Sequence, residues 1–316
     1  MKTPTILAVL AITTLGSVAP AQAQRGQWQE LNAEVVALCR QGRYDQAIVA
    51  ANEALRIATQ TLGLDHPLVA LSLNNLALLY KAQGRYEQVA PLYQRALTIK
   101  EEALGREHPS VALSLNNLAA FYEARGQYGQ AEPLYKRALA IKEKALGRDH
   151  LSVATSLNNL AALYDAQGRY ARAEPLYKRA LAIREEAFGA DHPSVALSLS
   201  NLAALYEAQR RYGEAEPLYR RALAIREKAL GPSDPAVATS LNSLAAIYEA
   251  QRRYEEAEQF YKRALGIAER AFGPDHPHVA TMLETLASFY RGTRREAAAA
   301  ALERRAATIR ATQRSR

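Results

Sequence analysis

Internal repetition constrains this chain more than any other feature of its sequence. The segment from Ser114 to His150 recurs almost unchanged 42 residues later, and related copies extend from about Leu31 to the C-terminus. A period between 20 and 50 residues is typical of solenoids, in which one unit cannot bury its apolar face without a neighbour. Although a length of 316 residues alone suggests about two domains, the repeat therefore predicts one elongated array.

Each repeat contains two apolar stripes at helical spacing. Leu115, Leu118 and Tyr122 belong to the first stripe, and Leu134 and Ala138 belong to the second. Every unit is therefore predicted to be a helix hairpin. The units are expected near residues 28–66, 67–108, 109–150, 151–192, 193–234, 235–276 and 277–310, in a solenoid that spans residues 24–310 and precedes a basic tail at 311–316.

Glycine marks the turns between the predicted helices. A glycine follows each second helix, from Gly63 to Gly273, where it favours helix termination. The turn inside the hairpin has glycine in the first four units but Arg210, Arg252 and Arg294 in the last three. Because a left-handed backbone costs arginine more than glycine, these last three turns are expected to have a different shape.

The N-terminus has the pattern of a secretory signal peptide. Lys2 precedes an apolar stretch, and Ala21 and Ala23 form a small-x-small cleavage site. Residues 1–23 are therefore predicted to be removed, which places the protein in the periplasm or outside the cell. Cys39 is the only cysteine, so an oxidising compartment gives the chain no internal disulfide.

Most of the net charge of +8 is concentrated at the C-terminus. Residues 291–316 contain eight arginines against Glu296 and Glu303. These arginines fit a polar end to the solenoid, which keeps the last hairpin soluble. They also fit contact with anionic lipid or cell-wall polymers, whereas nucleic-acid binding agrees poorly with export.

The repeated residues resemble the tetratricopeptide motif. Leu118 and Tyr122 of the first helix, followed by Ala131, Tyr135 and Ala138 of the second, match its characteristic spacing. The 42-residue form is similar to the units of kinesin light chain and of many bacterial repeat proteins. This resemblance implies an all-α tetratricopeptide solenoid of about seven helix hairpins. It further implies a right-handed superhelix whose first helices line a concave groove.

The resemblance also identifies candidate ligand-binding residues. In several members of the family an asparagine of the first helix bonds the backbone of an extended peptide, because a carboxamide both donates and accepts hydrogen bonds. The alternative is that these side chains bond neighbouring helices. Ser243 and Thr285 replace asparagine in later units, which weakens the pattern at that end. The matching positions are Asn75, Asn117, Asn159 and Asn201.

Two other rows of polar residues have simpler interpretations. Five histidines share one repeat position with Asp234, and both residue types accept hydrogen bonds at a helix start, so capping is favoured over metal binding. Glu123, Asp165, Glu207 and Glu249 share another position. They are interpreted as a solvated face with partners four residues away, or as a strip that selects a basic segment.

A catalytic site is not indicated by the sequence. It contains no recurrent nucleophile and base, no phosphate-binding loop and no cluster with metal-ligand spacing. The chain is therefore predicted to be a non-catalytic scaffold without a cofactor. It is expected to hold an extended protein segment in its groove, with attachment to anionic polymer or lipid through the C-terminal arginines as the alternative.

Overall fold

Helices are the only regular secondary structure in the part of the chain that is described. The structure is a computed structural model that describes residues 19–314, so residues 1–18 of the predicted signal peptide lie outside the described residues. None of the described helices combines the length and apolar character needed to cross a bilayer. The helices are α1 Ala19–Arg40, α2 Tyr44–Leu62, α3 Pro67–Ala82, α4 Val89–Leu104, α5 Pro109–Ala124, α6 Tyr128–Leu146, α7 Leu151–Ala166, α8 Tyr170–Phe188, α9 Pro193–Ala208, α10 Tyr212–Leu230, α11 Pro235–Ala250, α12 Tyr254–Phe272, α13 Pro277–Gly292 and α14 Glu296–Arg314, with a 3₁₀ turn at Tyr86–Gln88.

Both ends of the helical array differ in detail from the sequence boundaries. Because α1 begins at Ala19, the predicted cleavage site after Ala23 falls inside this helix. At the other end, α14 continues to Arg314, four residues into the segment predicted as a tail. Removal of the signal peptide stays a prediction.

The chain divides into two compact units, Met1–Asn159 and Leu160–Arg316, called unit 1 and unit 2 below. In unit 1, α1 packs on α2, α3 on α4 and α5 on α6, while α2 also contacts α3 and α4 contacts α5. Unit 2 repeats this arrangement: α9, α11 and α13 each pack between the preceding and the following helix. Each unit is thus a stack of helix hairpins, which confirms the predicted all-α solenoid.

The core of each hairpin is small and is completed by the hairpin before it. In unit 1, Leu97 of α4 packs against the cluster formed by α5 and α6, and in unit 2 Leu181 of α8 packs against the cluster formed by α9 and α10. Such sharing explains why one repeat is not stable alone. The two clusters contain the same five residue types at equivalent positions: Val111, Ala112, Leu115, Ala138 and Ile141 in unit 1, and Val195, Ala196, Leu199, Ala222 and Ile225 in unit 2.

The repeated histidines cap the first helices, as predicted. In each case the ring Nδ1 accepts a hydrogen bond from the backbone N–H two residues later, over 3.0 to 3.2 Å. The Asp234 carboxylate accepts the equivalent bond from Ala236 at 2.8 Å. A shared acceptor role explains why the two residue types exchange at this position. The five capping histidines are His66, His108, His150, His192 and His276.

The last three inner turns do not have a different shape, so that expectation was wrong. Arg210, Arg252 and Arg294 have φ of 58°, 62° and 61°, close to the 69° to 75° of the four glycines at the equivalent positions. Backbone hydrogen bonds hold the turn in this form. Arg210 N–H donates to the Glu207 carbonyl at 2.8 Å. In the same way, Gly126 N–H donates to the carbonyl three residues earlier, that of Glu123, at 2.9 Å. The turn geometry therefore outweighs the conformational preference of arginine.

Replacing these arginines by glycine is expected to stabilise unit 2. A left-handed backbone costs a residue with a Cβ about 1 to 2 kcal/mol, and the greater freedom of glycine in the unfolded chain offsets part of that. We therefore expect Arg210→Gly and Arg252→Gly each to add about 0.5 to 1 kcal/mol to the free energy of unfolding. The reverse change, Gly126→Arg, is the matched control and should destabilise unit 1, as measured by urea denaturation.

Candidate binding face of the first helices

One stripe of each first helix remains open to solvent, and it is called the first-helix face below. On α5 it consists of Leu113, Asn117, Ala120 and Ala124, whose spacing of four, three and four residues places them on one side of the helix. Leu113 is 49% exposed, an unusual degree for leucine in a helix whose other side is buried. On α9 the equivalent positions are Leu197, Asn201, Ala204 and Ala208, with Leu197 52% exposed.

The four candidate asparagines divide into two groups. The Asn75 carboxamide donates to Oδ1 of Asn32 on α1 at 2.8 Å, so the structural interpretation holds for this residue. Asn117, Asn159 and Asn201 are half-buried, and among the described residues their carboxamides have no hydrogen-bond partner. Three side chains thus present both a donor and an acceptor on the first-helix face.

The asparagines one position earlier belong to the interior. Asn74 is 4% exposed and Asn116 is 8% exposed, and Asn158 is equally buried. Their position one residue earlier turns them about 100° away from the first-helix face. This burial supports the structural role that the sequence favoured for them.

The acidic row has a partner that the sequence did not predict. Glu123 accepts a hydrogen bond from the hydroxyl of Tyr135 at 2.7 Å. Glu207 and Glu249 accept equivalent bonds, each at 2.9 Å, from the tyrosines twelve residues later. For these three residues the bond joins the two helices of a hairpin and not two positions four residues apart on one helix. Burial raises the pKa of Glu207 and of Asp165.

A row of four cations, two of them buried and two half-buried, lies next to the first-helix face, and sequence reasoning missed it. Arg226 donates to the hydroxyl of Ser200 at 3.0 Å and to that of Ser240 at 2.5 Å, and so lies between α9 and α11. Burial lowers the pKa of each member of the row. The only sequence signal is a basic residue at the same place in four successive repeats: Lys100, Lys142, Arg184 and Arg226.

Ion pairs compensate much of the C-terminal positive charge. Arg310 pairs with Glu284 at 3.1 Å and Arg305 with Glu269 at 2.5 Å. Arg291 and Arg295 also pair with carboxylates, of Glu303 and Glu258 respectively. This pairing supports a polar end to the array and leaves less free charge for an anionic partner of the tail.

The comparisons with known proteins identify similar repeats. The family model described as tetratricopeptide repeat matches five overlapping segments: 32–102, 110–186, 166–228, 194–270 and 236–312. A comparison with curated proteins finds no match.

Solved structures of repeat proteins resemble the chain over most of its length. A variant of a putative kinesin light chain of Podosopora anserina with nearly identical TPR-like repeats is 29% identical, with 68% of this chain and 99% of that chain covered and a TM-score of 0.58. BtubC from P. vanneervenii is 26% identical, with 80% and 94% covered and a TM-score of 0.59. The apo form of RapI, 16% identical with 92% and 100% covered and a TM-score of 0.67, shares the fold.

Proposed function

Because the chain belongs to the tetratricopeptide-repeat family, we propose that it is a scaffold that binds an extended protein segment along its first-helix face. Proteins of this fold are generally non-catalytic and mediate protein–protein interactions. The finer proposal assigns the contact to particular residues, and it assumes that the first helices line the concave surface, as elsewhere in the family. No cofactor is required for this role.

The observation that supports the proposal is a set of unpartnered carboxamides on an open, small-residue surface. Asn117 and Asn201 each offer one donor and one acceptor, which matches the C=O and N–H groups of an extended backbone. Ala120 and Ala204 next to them allow a backbone to approach closely, and the exposed leucines provide apolar contact. Recognition through the backbone would favour an extended segment over a folded domain.

Loss of the carboxamides is expected to weaken binding without harming the fold. The variant Asn117→Ser, Asn159→Ser, Asn201→Ser is suitable because Ser243 occupies the same position naturally. Peptides would first be selected from a random library against the intact chain, and their affinities measured by calorimetry. Each lost hydrogen bond is worth about 0.5 to 1.5 kcal/mol, so we expect binding to weaken at least about tenfold.

A gain of binding provides the complementary test. Ser243→Asn and Thr285→Asn restore the pattern at the two positions of unit 2 that lack it, and affinity should rise. Asn75→Ser, which removes a carboxamide already bonded to Asn32, should affect stability more than affinity. If neither the loss nor the gain variants change affinity, the asparagines are structural and the proposal fails.

We also propose that the protein acts after export, in the periplasm or outside the cell. This rests on the basic start, apolar stretch and small-x-small site of residues 1–23. N-terminal sequencing of protein recovered from the envelope fraction tests it. A first residue of Gln24 would support cleavage, and an intact Met1 in the cytosol would contradict it.

A further inference from the structure

Three inner turns of unit 2 carry arginine at the left-handed position that glycine occupies in the other four inner turns. Arg210, Arg252 and Arg294 are exposed, and within the described part of the chain they have no ion-pair partner. Each occupies a left-handed position that glycine fills, without strain, in the four preceding turns. Strain retained at successive equivalent positions is a reason to look for a function.

The arginine that follows each of these residues is engaged within the protein. Arg211 pairs with Glu174 at 2.8 Å and with Glu214 at 2.6 Å, and its guanidinium lies 4.2 Å from the centre of the Tyr206 ring. Arg253 is held in the same way by Glu216 at 3.1 Å and by Glu256. The second arginine of each pair thus occupies two carboxylates near the turn. The first arginine is left uncompensated.

The three turns lie at the same end of unit 2. Arg253 in the α11–α12 turn reaches Glu216 near the start of α10, which directly follows the α9–α10 turn. Arg295 in the α13–α14 turn reaches Glu258 near the start of α12 in the same way. Successive turns are therefore neighbours, and the free guanidinium groups form a row with one member per hairpin. This row of Arg210, Arg252 and Arg294 is called the turn arginines.

We propose that the turn arginines bind the surface of an anionic phospholipid bilayer. The planar guanidinium matches phosphate oxygens in a bidentate manner. Neighbouring guanidinium groups are about one hairpin apart, roughly 10 Å or more, so they need phosphates at a similarly wide spacing. The lipid headgroups of a bilayer are mobile and can adopt this spacing. Tyr254, 42% exposed, lies beside Arg252 and Arg253 and suits the polar–apolar boundary of a membrane.

Glycine substitution tests this surface with little risk to the fold. Arg210→Gly, Arg252→Gly, Arg294→Gly removes three charges and places in each turn the residue that four other turns already contain. The matched control is Arg40→Gln, Arg43→Gln, Arg95→Gln, which removes three exposed arginines from unit 1. Thermal melting confirms that both variants remain folded.

Binding is measured by sedimentation with vesicles of phosphatidylcholine, with and without 30% phosphatidylglycerol. We expect the natural chain to prefer the anionic vesicles, the glycine variant to bind at least about 30-fold more weakly, and the control to change less than about threefold. High salt should abolish the preference. Equal binding to both vesicles, or an equal loss in the control, would overturn the proposal.

A different outcome would assign the turn arginines to a protein. If the glycine variant loses affinity for the selected peptides and no chain binds anionic vesicles, the partner of this row is an acidic segment and the membrane proposal is wrong. Failure here is distinct from failure of the peptide-binding scaffold, because the asparagine variants test that function separately.

Discussion

Acidification from pH 5 to pH 2 is expected to destabilise unit 2 by several kcal/mol, mainly through Glu174 and Glu258. Glu174 accepts hydrogen bonds from Arg211 at 2.8 Å and from the Tyr206 hydroxyl at 3.0 Å, and pairs with Lys178 at 2.7 Å. Glu258 has the equivalent three partners, Arg295, Tyr290 and Lys262, two repeats further along the chain. These contacts tie a second helix to the following hairpin, so their loss loosens the stack.

The sign of the effect follows from the pKa of the two carboxyls. Hydrogen bonds from Arg211 and Lys178 lower the pKa of Glu174 to about 2, and those from Arg295 and Lys262 do the same for Glu258. A depressed folded-state pKa gives stability that is present above the ordinary value of 4.5. That stability is lost as the pH falls towards 2.

The size of the effect is large because both carboxylates are shielded. Their side chains are 21% and 18% exposed, so solvent screens them only in part. A fall in pKa from 4.5 to about 2 corresponds to about 3 kcal/mol for each group, as an upper value. Burial raises the pKa of Glu207, which opposes the trend over the same range.

Hydrogen exchange of individual peptides from unit 2, measured between pH 5 and pH 2, tests this prediction. Tryptophan fluorescence would not report on unit 2, because the single tryptophan, Trp28, lies in unit 1. Glu174→Gln, Glu258→Gln should remove most of the pH dependence of unit 2 and lower its stability at pH 7. The exposed Glu255→Gln is the matched control and should change neither. Unit 2 protection that is equal at pH 5 and pH 2 would contradict the prediction.

The predictable part of this structure is the part fixed by the repeat. Hairpins, glycine stops and histidine caps follow from residue spacing because they depend on contacts within a few residues. Capping by His108 and by Asp234, for example, needs only the backbone N–H two residues later. Leu113 and Asn117, four residues apart, lie on one side of α5 as helical periodicity requires, whereas the groove itself was implied only by the family resemblance.

The parts that could not be predicted involve contacts between helices. Tyr135 and Glu123 lie on different helices of one hairpin, so rules for one helix face do not relate them. The Asn75 partner, Asn32, lies in the first unit at the position that corresponds to Asn74, so the repeat pattern of the Asn75 position does not point to it. Likewise, the conformational cost of Arg210 gave the wrong expectation because hydrogen bonds in the turn outweigh it.

The cations of the row beside the first-helix face show that lysine and arginine at the same repeat position do not form the same hydrogen bonds. In unit 2, Arg226 reaches the hydroxyls on both neighbouring first helices. In unit 1, the ammonium of Lys100 lies 3.5 Å from the Ser110 carbonyl and that of Lys142 lies 3.3 Å from the Ser152 carbonyl. At the positions equivalent to those hydroxyls, buried oxygens have no partner within the described chain: Asn74, Ser114, Asn116 and Ser156.

Lys100→Arg and Lys142→Arg are therefore expected to stabilise unit 1, because the longer guanidinium side chain reaches the unpaired oxygens. An unsatisfied buried polar group costs about 1 to 3 kcal/mol, so we expect each change to add about 2 kcal/mol to the free energy of unfolding. The reverse change, Arg226→Lys, should destabilise unit 2 by a similar amount. Urea denaturation followed by Trp28 fluorescence measures the first effect, and hydrogen exchange in unit 2 measures the second. This explanation requires that the lysine-to-arginine changes raise the free energy of unfolding and that Arg226→Lys lowers it. If Lys142→Arg weakens unit 1, the position accommodates only the shorter side chain, and the unpaired oxygens are satisfied by buried water instead.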